Sequence, residues 1–162
     1  GMKTKEVAEL LVGYRGPVLC DLLETERKSL ADVASVKEYS PGDCVVGLEE
    51  KPDSMLVVMD GTFSVKAHSM GEQTEMYRIE RGGAFGDVLF ALGESKRESS
   101  LDCVNKGSVV LIRKSDIDSV AVGRSGSFWR EVTTAMEYWI EGCKSRKPDL
   151  LSGRTTNGNE TG

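Results

Sequence analysis

The chain has 162 residues, of which 29% are charged and 39% are hydrophobic, and its formal net charge is −5 at pH 7. This length is sufficient for one domain with a buried core. The net negative charge argues against a nucleic-acid partner held by phosphate contacts, and no apolar run approaches the length that crosses a bilayer.

The N-terminal part of the sequence predicts two helices. Residues 1–16 form a segment in which apolar residues recur at helical spacing. Thr25 is predicted to be the N-cap of the second helix, because a threonine oxygen accepts hydrogen bonds from the first free backbone N–H groups. Leu30 and Val33 are expected to face inward from that helix. The apolar residues of the first helix are Val7, Leu10 and Leu11.

From residue 36 onward the pattern changes to short strand-like runs separated by turn signals rich in glycine and proline. Several short strands without long helices between them favour an antiparallel roll over a parallel sheet. We therefore predict a mainly β fold, a jelly-roll β-roll or double-stranded β-helix, with N-terminal helices and a long C-terminal helix. The predicted strands are 36–39, 44–47, 55–60, 62–68, 74–79, 99–104 and 108–113, with turns that include Asp60-Gly61 and Lys106-Gly107.

A long helix is predicted over residues 128–144, after a short helix over residues 115–122. Its large apolar side chains recur at steps of three and four residues, which is the spacing of a short heptad seam. Two interpretations stay open: the seam packs on the roll of its own chain, or it joins two copies in a homodimer. The seam residues are Phe128, Trp129, Val132, Met136, Trp139, Ile140 and Cys143.

These elements divide the chain into four segments. Residues 1–16 form the N-terminal helix, residues 17–124 the roll and residues 125–150 the C-terminal helix. Residues 151–162 are a polar tail with too little apolar content to form a packed structure. We therefore expect no helix-turn-helix module after the long helix.

The segment 82–97 carries the most informative pattern in the chain. Glycines at 82, 83 and 86 permit a tight turn and a close approach of the backbone to a ligand. The residues after Gly86 are predicted to open a short helix, whose free N–H groups suit an anion. Arg97 is able to bind a phosphate with two parallel hydrogen bonds, and Asp87 would accept hydrogen bonds from sugar hydroxyls. The pattern therefore indicates a pocket for a phosphorylated sugar.

This segment resembles the phosphate-binding cassette of cyclic nucleotide-binding domains, with the spacing of the catabolite-activator branch. Phe85-Gly86-Asp87 is similar to the Phe-Gly-Glu of that family, and Arg97 to its phosphate arginine. Pro41-Gly42-Asp43 and residues 55–61 are similar to an early turn and the central strand of the family, so the resemblance covers residues 17–120. It implies a β-roll fold and either cyclic AMP or cyclic GMP as the ligand, without a metal.

The resemblance also implies a role for individual residues. Arg97 would pair with the cyclic phosphate, Asp87 would accept from the ribose 2′-hydroxyl, and Ile79 would form an apolar wall for the base. The sequence departs from the family pattern because Asp87 is one methylene shorter than glutamate, Leu89 replaces a small residue, and Glu98 replaces Ala, Ser or Thr. The candidate binding residues are Ile79, Gly86, Asp87, Val88, Leu89, Arg97, Glu98 and Ser99.

Two functions stay open from the sequence. The first is a stand-alone cytoplasmic sensor, in which a cyclic nucleotide moves the long helix and that helix acts on a second copy or an unknown protein partner. The second is a degenerate roll that serves as a protein-interaction module without nucleotide, with Arg97 tied up by Glu98. An enzyme is not expected, since His68 is the sole histidine and supplies neither a metal cluster nor a catalytic base set. The cysteines at 20, 44, 103 and 143 are widely spaced and are expected to be free thiols in a reducing compartment, rather than disulfides.

Overall fold

The computed structural model describes residues 2–92 and 97–146, with side chains at all of these positions except 2, 88, 89, 125 and 143–146. Within these residues, six antiparallel strands form one sheet flanked by helices, which confirms the predicted mainly β fold. No helix in the described ranges is long and apolar enough to cross a membrane. The helices are α1 (Met2–Gly13), α2 (Glu24–Val33), α3 (Asp87–Leu92), α4 (Lys114–Val120) and α5 (Ser125–Arg146), with a 3-10 turn at Leu19–Asp21. The strands are β1 (Ser35–Tyr39), β2 (Cys44–Val46), β3 (Ser54–Ser69), β4 (Glu72–Ile79), β5 (Ala84–Phe85) and β6 (Ser99–Arg113).

Two long strands, β3 and β6, hold the sheet together. β3 lies between β6 and β4, β1 lies on the other side of β6, and the short strands β2 and β5 pair with β6 and β3. Alternate residues of a strand point to opposite faces. On one face of β3, Val57 belongs to a core shared with the helices, whereas Val58 on the other face belongs to a second core inside the roll. Both faces of this strand are therefore buried, which explains its continuous apolar run.

Two predicted turns are instead irregularities within the long strands. The signals at Asp60-Gly61 and Lys106-Gly107 predicted chain reversals, but β3 and β6 run through both positions and pair with shifts of register. Gly61 has a φ of 87°, and a Cβ on it would lie 2.6 Å from the Cα of Gly107. Glycine is required here because the two backbones pass too close for a side chain between them. The prediction of separate strands was therefore wrong at both positions.

The start of α2 also differs from its prediction. The N-cap is Leu23, and Thr25 lies inside the helix. The backbone N–H of Leu23 donates to Oε1 of Glu26 at 2.8 Å, so an acidic side chain in the first turn, rather than threonine, makes the capping contact. Leu30 is fully buried as predicted, whereas Val33, the last residue of the helix, is 44% exposed.

Arg27 ties α2 to the end of α1. Its side chain is buried, and Nη1 donates to the carbonyl oxygens of Leu11, Val12 and Tyr14 at 3.2, 3.1 and 2.7 Å. The last carbonyls of a helix have no partner within the helix. A cation at this position satisfies them and complements the negative end of the helix dipole. The contact therefore fixes the backbone of Tyr14 relative to α2.

The apolar side chains of α5 point mainly into the domain itself. Phe128, Val132 and Met136 are buried in the core that the helices share with β3. Of the two predicted arrangements, this is the one in which the seam packs on its own chain. Trp139 is 55% exposed. The side chain of Cys143 and the predicted tail at 151–162 lie outside the described residues. Among the seam side chains that the structure describes, Trp139 is therefore the large one that is most exposed.

Substitution of Arg27 tests the contact between α1 and α2. Arg27→Ala removes the buried donor that three carbonyl oxygens share, of which those of Val12 and Tyr14 also accept from Arg15. We expect the free energy of unfolding to fall by about 2–4 kcal/mol. Urea unfolding followed by circular dichroism measures the change. Lys28→Ala is the control, because this side chain of the same helix is 60% exposed and its loss should cost less than about 0.5 kcal/mol. Equal stability of the two variants would contradict the role of Arg27.

Candidate functional site

A short strand, a glycine and a short helix build the candidate site. β5 pairs with β3 at Leu56 and Val57, and the chain then turns at Gly86, whose φ of 82° suits glycine. α3 begins at the next residue, and the N–H of Phe90 donates to the carbonyl oxygen of Gly86 at 3.0 Å. The glycine turn and the helix start predicted from the sequence are therefore both present.

Arg97 is the central charge of the site and is only 4% exposed. Its Nε donates to the carbonyl oxygen of Glu50 at 3.1 Å, and its Nη2 donates to that of Lys51 at 3.4 Å. The guanidinium carbon lies 5.7 Å from the centre of the Phe85 ring, within the range of a cation–π contact. The loop before β3 thus holds the arginine through two backbone carbonyls.

The Nη1 nitrogen of Arg97 is buried and has no hydrogen-bond partner in the described part of the chain. A Cβ at Gly86 would lie 3.1 Å from this atom, so a larger residue at the turn would crowd it. A buried donor that stays unpaired costs the full desolvation free energy of its group. An anion at this position would remove that cost, and phosphate is an anion whose geometry matches a guanidinium.

The surroundings of Arg97 mix both signs of charge. The residue lines a cavity of about 240 Å³ between β1, β2 and the start of β3, together with Lys37, Lys51, Glu50 and Asp53. Burial lowers the pKa of Arg97, whereas the charges of Glu50 and Asp53 act in the opposite direction. An arginine side chain remains protonated at neutral pH under either influence. The site therefore presents a permanent positive charge.

Asp87 and Arg97 line different cavities. Oδ2 of Asp87 accepts a hydrogen bond from the hydroxyl of Tyr14 at 3.1 Å, and the residue lines a cavity of about 410 Å³ between residues 15–21 and α5. Burial, and after it the charge of Asp87, raises the pKa of Tyr14, so the phenol remains a protonated donor. The structure thus brings Gly86 and Arg97 together and directs Asp87 towards the end of α1.

The other predicted residues surround this centre. Ile79 ends β4 and is buried in the core inside the roll, and Ser99 begins β6. Glu98 is exposed, and the hydrogen bonds of Arg97 go to carbonyl oxygens rather than to this carboxylate. Residues 88–89 lie in the first turn of α3, where their backbone alone is described.

The sequence predicted neither the loop that binds Arg97 nor the contact between Tyr14 and Asp87. The loop acts through the carbonyls of Glu50 and Lys51, a group that every residue possesses, so no side-chain pattern predicts the contact. Tyr14 lies 73 positions away from Asp87, and the packing of α1 against the roll brings the two together. The one available signal was the polar run at 49–53 between two strands.

Comparisons with known proteins identify a domain family to which the sequence is similar. A family model described as the cyclic nucleotide-binding domain matches residues 36–122. The chain is 30% identical over 86 residues to the cAMP-dependent protein kinase type II regulatory subunit of Drosophila melanogaster. That match covers 53% of this chain and 22% of the relative, so the chain spans about a fifth of the length of that curated relative.

Solved structures with the same fold extend this finding. The regulatory domain of Toxoplasma gondii protein kinase A with cAMP aligns with a TM-score of 0.66 and 16% identity, over 85% of this chain and 51% of that chain. The catabolite activator protein of Thermus thermophilus aligns with a TM-score of 0.63 and 17% identity, over 85% of this chain and 63% of that chain. At these identities the likeness shows the fold alone, and that fold is the predicted β-roll.

Gly86→Ala tests the close approach of the turn to Arg97. The new Cβ would lie 3.1 Å from Nη1 and 3.2 Å from the carbonyl oxygen of Ser54, in a left-handed region that costs alanine about 1–2 kcal/mol. Gly71→Ala is a matched control, because Gly71 has the same φ of 82° and no heavy atom within 4 Å of its Cβ.

We expect both glycine variants to lose about 1–2 kcal/mol of unfolding free energy from backbone strain. Gly86→Ala should lose at least about 1 kcal/mol more, because its neighbours must move to admit the Cβ. Urea unfolding of the two variants side by side measures this difference. Equal losses would show that the space beside the guanidinium is not restricted.

Proposed function

The chain belongs to the cyclic nucleotide-binding domain family, and from this premise we propose that it is a regulatory sensor for cyclic AMP or cyclic GMP. The cyclic phosphate would lie against Nη1 of Arg97 and the turn at Gly86. The ribose 2′-hydroxyl would donate to Asp87, and the base would rest on the apolar wall near Ile79. The regulatory subunit among the relatives supports a regulatory rather than a catalytic role.

The observation that carries this proposal is the unpaired Nη1 of Arg97. Buried guanidinium donors are normally satisfied. Nε of Arg27 is also unpaired among the described residues, but Arg97 in addition lines a cavity. Here the carbonyls of Glu50 and Lys51 occupy the other two nitrogens, and Nη1 lies beside Gly86 with no acceptor among the described residues. An anionic ligand would supply that acceptor, and a charged hydrogen bond of this kind contributes about 1.5–3 kcal/mol.

The competing function is a roll that binds a protein without nucleotide. That alternative needs the charge of Arg97 to be neutralised from within the chain, and Glu98 is its predicted partner. Glu98 is exposed, and the acceptors of Arg97 are neutral carbonyls. Glu98 therefore does not neutralise the guanidinium, which favours the nucleotide-binding function.

The long helix α5 is the proposed output of the sensor. It lies against the cassette helix α3, where the hydroxyl of Thr133 donates to the carbonyl oxygen of Ala91 at 2.8 Å. The rings of Phe90 and Trp129 meet edge to face with their centroids 5.2 Å apart. A ligand that shifts α3 would change these contacts and shift the equilibrium position of α5.

The exposed end of α5 is the proposed contact for a second copy. Tyr138 and Trp139 are 84% and 55% exposed, and large aromatic side chains are enriched in protein interfaces. We expect the nucleotide-bound wild type to sediment as a dimer at micromolar concentration, and the variant Tyr138→Ala/Trp139→Ala to sediment as a monomer. A wild type that stays monomeric with and without nucleotide would contradict the homodimer.

Thermal unfolding tests nucleotide binding directly. A ligand at ~100 times its dissociation constant stabilises the folded state by about 2.7 kcal/mol, which raises the melting temperature by roughly 5–10 °C in a chain of this size. The nucleotide that gives the larger shift at equal concentration, cyclic AMP or cyclic GMP, identifies the preferred base. The absence of a shift with either nucleotide at millimolar concentration would overturn the sensor function.

Arg97→Ala should abolish this shift, because it removes the proposed phosphate ligand. Arg78→Ala is the matched control: Arg78 lies on β4, pairs with Glu75 at 2.8 Å and has a side chain that is 54% exposed. The control should retain the full shift. A shift that persists in a folded Arg97→Ala protein, as judged by circular dichroism, would show that the phosphate binds elsewhere.

A further inference from the structure

Asp87 and Arg97 line separate cavities in this structure, although one nucleotide would have to contact both. Within a cyclic nucleotide, the 2′-hydroxyl and the phosphate are held on the same rigid sugar. We therefore expect Asp87 to turn towards Arg97 as both contacts form. In its present orientation, Oδ2 of Asp87 accepts a hydrogen bond from the hydroxyl of Tyr14 at 3.1 Å.

Tyr14 is held in place by its own neighbours. It is 8% exposed, and its backbone carbonyl accepts from Nη1 of Arg27 at 2.7 Å. Its ring covers Gly16, where any side chain would collide with the phenolic oxygen. The hydroxyl is therefore not free to follow Asp87 if the carboxylate turns towards Arg97.

The loss of this hydrogen bond would be costly. Burial raises the pKa of Tyr14, so its hydroxyl keeps its proton at neutral pH and needs an acceptor. A buried hydroxyl that loses its acceptor bears the desolvation cost of the unpaired group. That cost would make the binding free energy of any ligand that draws Asp87 away less favourable, and so would weaken its binding.

We propose that Tyr14 is a positioning residue that holds Asp87 away from the nucleotide site in the ligand-free protein, and that the ribose 2′-hydroxyl displaces it. This inference rests on the proposed function and adds that Tyr14 competes with the ligand for Asp87.

The displacement also gives ligand binding a second way to act on α5. Asp87 shares its cavity with residues 15–21 and with Val132 and Trp139 of α5, so its release would change the contacts of both segments.

Tyr14→Phe removes the hydroxyl and keeps the ring. We expect the variant to bind cyclic AMP about three- to tenfold more tightly than the wild type in isothermal titration, because no buried donor is left unpaired. The analogue 2′-deoxy cyclic AMP has no hydroxyl to attract Asp87 and should bind both proteins equally. If cyclic GMP gives the larger thermal shift, cyclic GMP and 2′-deoxy cyclic GMP are used as the two probes instead. Ser119→Ala, which removes a hydroxyl from an exposed residue of α4, should leave both affinities unchanged.

Several outcomes of this titration would overturn the proposal. An equal gain for the nucleotide and its 2′-deoxy analogue would mean that the effect does not pass through the ribose contact. Unchanged or weaker binding of the nucleotide would mean that Tyr14 does not compete with the ligand. Because phenylalanine has nearly the same shape as tyrosine, loss of folding is not an expected explanation, and circular dichroism checks it.

A second experiment needs no ligand. The stabilities of Tyr14→Phe, Asp87→Ala and the double variant are compared in urea, and we expect the double variant to lose less than the sum of the two single losses. If the losses of unfolding free energy add and the protein binds nucleotide, the role of Tyr14 is overturned and the proposed function stands. If the double variant loses less than the sum but the wild type binds no nucleotide, the proposed function is overturned, and the displacement step with it.

Discussion

The rest of this site depends on a buried guanidinium, one nitrogen of which has no acceptor in the part of the chain that the structure describes. Arg97 is almost fully buried, and its Nε and Nη2 donate to the neutral carbonyls of Glu50 and Lys51. Neutral acceptors hold the side chain in place without cancelling its charge. The third nitrogen lies so close to Gly86 that a Cβ there would be 3.1 Å away, and the positive φ of this residue also favours glycine.

The start of β3 organises both sides of that arginine. The loop that supplies the two carbonyls leads directly into β3 at Ser54, and β5, which leads into Gly86, pairs with β3 at Leu56 and Val57. β3 is buried on both faces because each face belongs to a separate apolar core. A strand packed in this way is a rigid base, so the distance between the loop and the glycine turn is set by the core of the domain.

Much of the fold was predictable because periodicity reports which faces are buried. The strand-like runs after residue 36 and the apolar stripe of the long helix both follow from it. The predictions at Asp60-Gly61 and Lys106-Gly107 were wrong because glycine serves a turn and a close backbone approach equally well. The prediction of Thr25 as the N-cap was wrong because the capping contact at the start of α2 comes from Glu26. These errors share one cause: a local residue type is compatible with several local structures.

The sequence by itself determined the family, the roll and the residue types of the cassette, since these depend on local spacing around Gly86, Asp87 and Arg97. Tertiary structure alone decided what those side chains contact. Arg97 bonds to backbone carbonyls, which have no sequence signature, and Asp87 bonds to Tyr14, which lies 73 positions away. Hydrogen-bond partners are chosen by proximity in space, and for distant or backbone groups that proximity exists only after the cores have packed.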